Sequence, residues 1–258
     1  MLNISSLTTK TNKMGRTSRK SAEPKTDSEE KVIKTKKEQI CSILKKKTKQ
    51  KFLTESQKNY YETLMNNQIV LCSGPAGTGK SYISMKAAID LISDPQTPYE
   101  KIIIIRPVVE GGDSRLGSLP GSYEEKMEPY IIPSYYLLNK IIGKETREKL
   151  KESGFIEVLS ISYLRGFNID NSICIVEESQ NTTPLEMKLI LTRIGFNSKF
   201  FISGDIEQSD KFKDKEKSGL FDAIKRLNNV NDIGISSFSD DDVIRNPIIK
   251  EIIKRYSN

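Results

Sequence analysis

The sequence contains no histidine in its 258 residues. That absence removes Ser–His triads, histidine metal sites and imidazole general bases together. Any catalysis must run mainly on carboxylates, lysine, arginine and a bound metal. Cysteine is scarce: Cys41, Cys72 and Cys174 are an odd number without CxxC spacing. This argues against a disulfide framework and a structural zinc site, and a reducing cytoplasm is the simple reading. Long apolar runs are missing too. The stretch from Ile102 to Ile105 is far short of a membrane span, and MLNISSLTTKTNKMGRTSRK has no apolar core of signal-peptide length. A cytoplasmic protein with no membrane partner is expected. Apolar residues make up only 36% of the chain, which points to a polar segment diluting an ordinary core.

That segment is the N-terminus. Residues 1–50 hold 14 Lys/Arg against 5 Asp/Glu, a charge of +9, whereas residues 51–258 hold 27 against 29, or −2. A basic tail attracts phosphate backbones through counterion release. It is equally readable as a solvated, disordered extension. Residues 1 to about 30 lack any apolar period and are expected to be disordered. Val32, Ile33, Ile40, Ile43 and Leu44 form a thin stripe that predicts one helix, carrying Lys45, Lys46 and Lys47. The chain thus divides into a basic, largely disordered extension, 1–50, and a domain, 51–258.

In the domain, Thr54 and Gln57 have capping-box spacing and predict a helix from Glu55 to about Asn66. Apolar β-type runs then alternate with helical stretches. The strands are expected at Gln68–Cys72, Lys101–Ile105, Ile156–Ser160, Ser172–Val176, Lys199–Ser203 and Asp232–Ser236. Helices are expected at Ser81–Ile92, Glu145–Glu152, Leu185–Thr192 and Gly219–Leu227. The pattern predicts an α/β fold, a mostly parallel sheet with helices on both faces. Ligands of such folds lie at the carboxyl ends of the strands.

The strongest motif is Gly74-Pro75-Ala76-Gly77-Thr78-Gly79-Lys80-Ser81, which fits GxxxxGK[ST] between a strand and a helix. The glycines let successive N–H groups turn toward phosphate oxygens. Lys80 is placed to reach the β/γ-phosphates, the Ser81 hydroxyl to bind Mg²⁺, and the helix dipole to favour the anion. Tyr82 joins this set. The second motif, Ile173-Cys174-Ile175-Val176-Glu177-Glu178, reads as an apolar strand ending on two acids. Glu177 would hold Mg²⁺ and Glu178 would polarise the attacking water. The third, Phe200 to Ser203 followed by Gly204, Asp205 and Gln208, puts a water-orienting or γ-phosphate-sensing Gln at the same sheet edge. Gln57, followed by Tyr60 and Tyr61, has two readings: an amide for the adenine edge, or an exposed helix Gln with core tyrosines.

These blocks resemble the PhoH-like ATPases over about residues 53–256. The resemblance runs through GPAGTGKS (74–81), RPVVEGG (106–112), LGSLPG (116–121), SYLRGFNIDNSICIVEESQNTT (162–183), LTRIGF (191–196), GDIEQSD (204–210) and DDVIRNPIIKEIIKRY (241–256). The family is similar to the first lobe of superfamily-one helicases, so the resemblance implies a RecA-like single lobe. It implies Lys80 and Ser81 as phosphate and Mg²⁺ contacts, Glu178 as the catalytic carboxylate and Gln208 as the γ-phosphate sensor. It adds weight to Gln57, and it implies a homo-oligomeric, hexameric ring. Arg193 and Arg245 are candidates for an arginine acting in trans. Three positions depart from the family: Glu177 stands for Asp, Ser179 for Ala, and Asn246 for the second residue of an Arg-His pair. The extra methylene of Glu177 pushes its carboxylate about 1.5 Å further toward the metal. The functional expectation is an ATP- and Mg²⁺-dependent ATPase on or near single-stranded RNA or DNA. An ATP-dependent switch or assembly module with little turnover stands as the alternative.

Overall fold

The computed structural model describes residues 36–44, 52–107, 123–244 and 255. The Ile-, Val- and Phe-rich runs become β1 (Ile69–Ser73), β2 (Lys101–Ile105), β3 (Ile156–Leu159), β4 (Ser172–Val176), β5 (Lys199–Gly204) and β6 (Ile233–Ser237). They form one six-stranded sheet in the order β3-β2-β4-β5-β1-β6, and every pairing is parallel. All six expected strands are present, with ends shifted by no more than a residue.

Alternation along each strand divides the core into two layers. Val70 and Cys72 of β1 face one layer, with Ile102, Ile104, Ile173 and Ile175. Against it pack α2 (Glu55–Asn66), α3 (Lys80–Ser93), α4 (Tyr123–Ile142) and α5 (Lys144–Glu152). Leu71 faces the other layer, with Ile103, Ile105, Cys174 and Val176. There α6 (Pro184–Leu191) and α7 (Gly219–Leu227) bring Met187, Ile190, Leu220 and Ala223. Strand β5 lies between β1 and β4, so the loops after the three motif-bearing strands share one edge.

Two features depart from the sequence reading. Helix α4 is not among the helices expected from the sequence, and Pro129 and Pro133 fall inside it. Each proline removes a backbone donor and disfavours a helix interior. Packing overrides that preference: Ile131, Ser134, Leu138 and Ile141 repeat at helical spacing and are buried.

The second departure concerns the extension 1–50, part of which packs into the core. Residues 36–43 are helical (α1) and belong to the packed unit. Ile40 is fully buried in the first core layer, with Ile43 and Leu44 packed against it. Lys37 is buried as well. Its ammonium donates to Ile92 O (3.1 Å), Asp94 O (3.1 Å) and Thr97 Oγ1 (3.1 Å), closing the carboxyl end of α3. Lys199 closes α2 likewise through Leu64 O, Met65 O and Asn67 O. The stripe of Ile40, Ile43 and Leu44 within the extension therefore belongs to the core. Ile40→Ala is expected to cost about 2–4 kcal/mol, and a chain starting at residue 51 should melt lower than one starting at residue 36. Thermal unfolding of the two truncations beside full-length protein checks this; equal midpoints would make α1 dispensable.

Candidate nucleotide site

After β1 the chain turns through residues 74–79 directly into α3. Gly79 adopts a left-handed φ of 91° as the N-cap of α3. A Cβ there would lie 2.7 Å from Gln57 Nε2, so conformation and space both require glycine. No side chain caps α3, which leaves its first-turn N–H groups and dipole directed at the loop. Thr78 is fully buried and ties the loop by donating to Pro75 O at 3.0 Å. The Lys80 ammonium donates to Gly74 O (2.6 Å) and Pro75 O (2.7 Å). Beneath it, burial pushes the Cys72 thiol up to about 12, with Lys80 pulling the other way, so Cys72 is an inert core residue. A cleft of about 370 Å³ opens beside the loop, bordered by Lys80, Ser81, Tyr82, Glu178, Asp205 and Gln208.

The two acids part company at the end of β4. Glu177 stays with the sheet, its N–H donating to Ile105 O at 3.0 Å. Its side chain is buried, and Oε2 accepts from Ser134 Oγ of α4. Glu178 then takes a left-handed backbone, φ 50° and ψ 34°, uncommon for a residue with a side chain. Its half-exposed carboxylate borders the cleft. Oε1 faces Arg106 Nη2 at 3.3 Å and Oε2 accepts from Gln180 Nε2 at 2.8 Å. Arg106 is anchored in turn on Tyr130 O of α4, at 3.1 Å.

Following β5, Asp205 reaches across to the loop, where its Oδ2 accepts from Ala76 N at 3.2 Å. Gln208 lies exposed at the cleft rim. The three motifs thus meet in one cleft: Ala76, Gly77, Gly79, Lys80, Ser81, Tyr82, Glu178, Asp205 and Gln208 line it, whereas Gly74, Pro75, Thr78 and Glu177 do not.

Gln57 matches neither sequence reading in full. It is buried, not exposed: Nε2 donates to Thr78 O (3.0 Å) and Oε1 accepts from Leu53 N (2.9 Å). Thr54 is the N-cap of α2, accepting from Gln57 N. Tyr60 is a core residue bonded to Ser84 at 2.7 Å.

Arg193 does not border the cleft. It sits in the turn after α6, its carbonyl accepting from Ile169 N at the amino-terminal edge of the sheet, and its Nε is buried without a hydrogen-bond partner. Arg245 lies outside the described residues, as do residues 108–122 of the RPVVEGG and LGSLPG blocks and Lys45, Lys46 and Lys47. The described chain reaches Ile244, whose N–H donates to Gly77 O at 3.0 Å. Sequence reasoning assigned no role to Arg106, Ser134, Gln180 or Asn181. Lone polar residues beside motifs carry no periodic signal, and only proximity to the EESQNTT block hinted at Gln180 and Asn181.

The donor chemistry suits a hard cation that arrives with phosphate. Ser81 offers a hydroxyl at the cleft, an oxygen ligand of the kind Mg²⁺ takes, whereas the Glu177 carboxylate does not line the cleft and would have to leave Ser134 to reach a cation there. Among the described residues no group of three or more His, Cys, Asp or Glu could hold a metal ion alone, so phosphate oxygens and water would complete the sphere. No helix of the described residues is long and apolar enough to cross a membrane.

A parallel sheet with a glycine loop running into an uncapped helix, and acids one strand away, defines an α/β domain of the P-loop NTPase class. The family model "PhoH-like protein" matches residues 49–257. A PhoH-like protein of Bacillus subtilis is 40% identical over 203 residues, 79% of this chain and 62% of its own. One from Mycobacterium leprae is 40% identical over 204 residues, covering 79% and 57%. Protein PhoH of Escherichia coli is 33% identical over 205 residues, again 79% and 57%. The chain belongs to the PhoH-like protein family. It spans about three-fifths of the length of these relatives.

Proposed function

We propose that the chain binds ATP with Mg²⁺ in this cleft and hydrolyses it, acting on or near single-stranded RNA or DNA as a homo-oligomer. The observation that carries the reading is the convergence of Lys80, Glu178 and Gln208 on one cleft at the carboxyl ends of adjacent strands. Bound phosphates would draw Lys80 from the loop carbonyls and take up the free N–H groups of α3. Glu178, held open to the cleft, would orient water and accept its proton as the water oxygen bonds to the γ-phosphorus and the bridge to ADP breaks. Gln208 would position that water or register the γ-phosphate. Mg²⁺ held by Ser81 and Glu177 would neutralise charge on the phosphate oxygens.

Arg193 cannot serve its own cleft from the far edge of the sheet. Any role for Arg193 would be toward a neighbouring copy, as in the ring the family resemblance implies, and would fall to its outer guanidinium nitrogens, because its Nε is buried. An ATP-dependent switch with little turnover is the second reading, favoured by the burial of Glu177 against Ser134. Steady-state phosphate release, with and without single-stranded RNA or DNA, separates the two. Turnover that rises with nucleic acid supports the motor reading, and tight binding without turnover supports the switch.

The basic N-terminus supplies a further measurement. Residues 1–35 hold 8 Lys/Arg against 4 Asp/Glu, a charge of +4. Their removal spares α1 and should weaken single-strand binding, flattening the slope of log K against log salt by about 0.7 for each phosphate no longer neutralised. Binding of full-length and truncated protein across a salt series checks this. Equal slopes would make the extension a passive one.

A further inference from the structure

Gln180 is buried in the short 3₁₀ turn after β4, at residues Ser179–Asn181, and its amide has both ends engaged. Oε1 accepts from Asp205 N at 3.1 Å. Nε2 donates to Glu178 Oε2 at 2.8 Å and approaches Gln208 O at 3.4 Å. These partners fix the orientation of the amide. A backbone N–H can only donate and an ionised carboxylate can only accept, so oxygen must face Asp205 and nitrogen Glu178. Neither a carboxylate nor an apolar side chain satisfies both.

The next residue holds the same loop further along. Asn181 Oδ1 accepts from Ser209 Oγ (3.2 Å), Asp210 N (3.0 Å) and Lys211 N (3.3 Å). Gly204 makes room for the approach: a Cβ there would collide with Gln180 Oε1 and lie 2.9 Å from Gln180 N. The loop after β5 is therefore fastened to the strand end that bears the acids, by side chains that the proposed chemistry leaves unused.

We infer that Gln180 is the positioning residue of the site, coupling the Glu178 carboxylate to the loop that carries Asp205 and Gln208. The inference rests on the proposed hydrolysis for its catalytic meaning. Displacement of the loop by a γ-phosphate at Gln208 pulls on the same amide that holds Glu178. Carboxylate and loop therefore move together, and an ill-fitting ligand leaves Glu178 misplaced. Buried, hydrogen-bonded amides carry such coupling because breaking one bond strands the other partner without water.

The test uses the full chain with Gln180→Leu, Gln180→Glu and Glu178→Ala, and reads amide exchange across residues 204–208 by mass spectrometry beside ATP-analogue affinity and kcat. Gln180→Leu should speed exchange about tenfold. It should lower kcat about 100-fold with KM changed less than about threefold. Gln180→Glu keeps an acceptor for Asp205 N but sets a second carboxylate against Glu178 and Gln208 O, so it should restore neither turnover nor full protection of the loop. A residue needed only for folding would regain both together. Glu178→Ala, which frees the far end of the amide, should also speed exchange at 204–208. Full turnover in Gln180→Glu, or unchanged exchange in both Gln180→Leu and Glu178→Ala, overturns the inference. If the wild-type chain binds nucleotide and releases no phosphate, the hydrolysis reading falls and the exchange measurements alone decide the coupling.

Discussion

Lys80→Ala should weaken ATP binding by at least about 100-fold, near 3 kcal/mol, with the chain still folded. Lys80 is the cation proposed to meet the β/γ-phosphates. Its ammonium rests on Gly74 O and Pro75 O, poised at the loop mouth. Loss of the side chain removes the charge and leaves those two carbonyls without it, so a modest loss of thermal stability should accompany the binding defect. Titration with a fluorescent ATP analogue, beside a melting curve, separates the two effects. Near-wild-type affinity would overturn the assignment of the phosphate site.

Glu178→Gln should leave the nucleotide bound and lower turnover by roughly 10²- to 10⁴-fold, about 3–5 kcal/mol of barrier. The amide keeps the shape and removes the proton acceptor. It cannot satisfy both present partners, because Arg106 Nη2 and Gln180 Nε2 are both donors. One of them must face an NH₂ group, and a stability loss of about 1 kcal/mol is expected. Single-turnover phosphate release with saturating ATP reads the chemistry apart from binding. Failure to bind the analogue would show that Glu178 holds the metal or the fold instead.

The sheet was legible in the sequence because inner parallel strands covered on both faces are apolar nearly throughout, as in β1, β2, β4 and β5. The edge strands β3 and β6 show shorter apolar runs, broken by Glu157 and Ser236. The phosphate loop was legible for a related reason. Its glycines, lysine and serine answer backbone and charge requirements fixed by position, of which the left-handed Gly79 is one. Helix α4 was not legible, since Pro129 and Pro133 argue locally against a helix that only the core layer sustains. The helix over residues 36–43 was legible from the stripe of Ile40, Ile43 and Leu44, but its place in the core was not. A lysine-rich segment normally seeks water, yet here the ammonium finds three oxygens at the end of α3 and carries Ile40 into the core. Gln57 was half legible: the helix start it signals is there, but nothing in the spacing foretold that its amide would hold Thr78 O. Gln180 stayed hidden because its partners lie 2 residues away on one side and 25 on the other.

The left-handed backbone of Glu178 sets a conflict between durability and activity at one position. A residue with a Cβ costs about 1–2 kcal/mol there relative to its preferred conformations, a cost that glycine escapes and asparagine reduces. A library screened only for heat tolerance would therefore enrich glycine or asparagine at position 178 and discard the carboxylate the site presents to its cleft. A glutamate retained there under such selection would mark activity, and not persistence of the fold, as what the position is kept for.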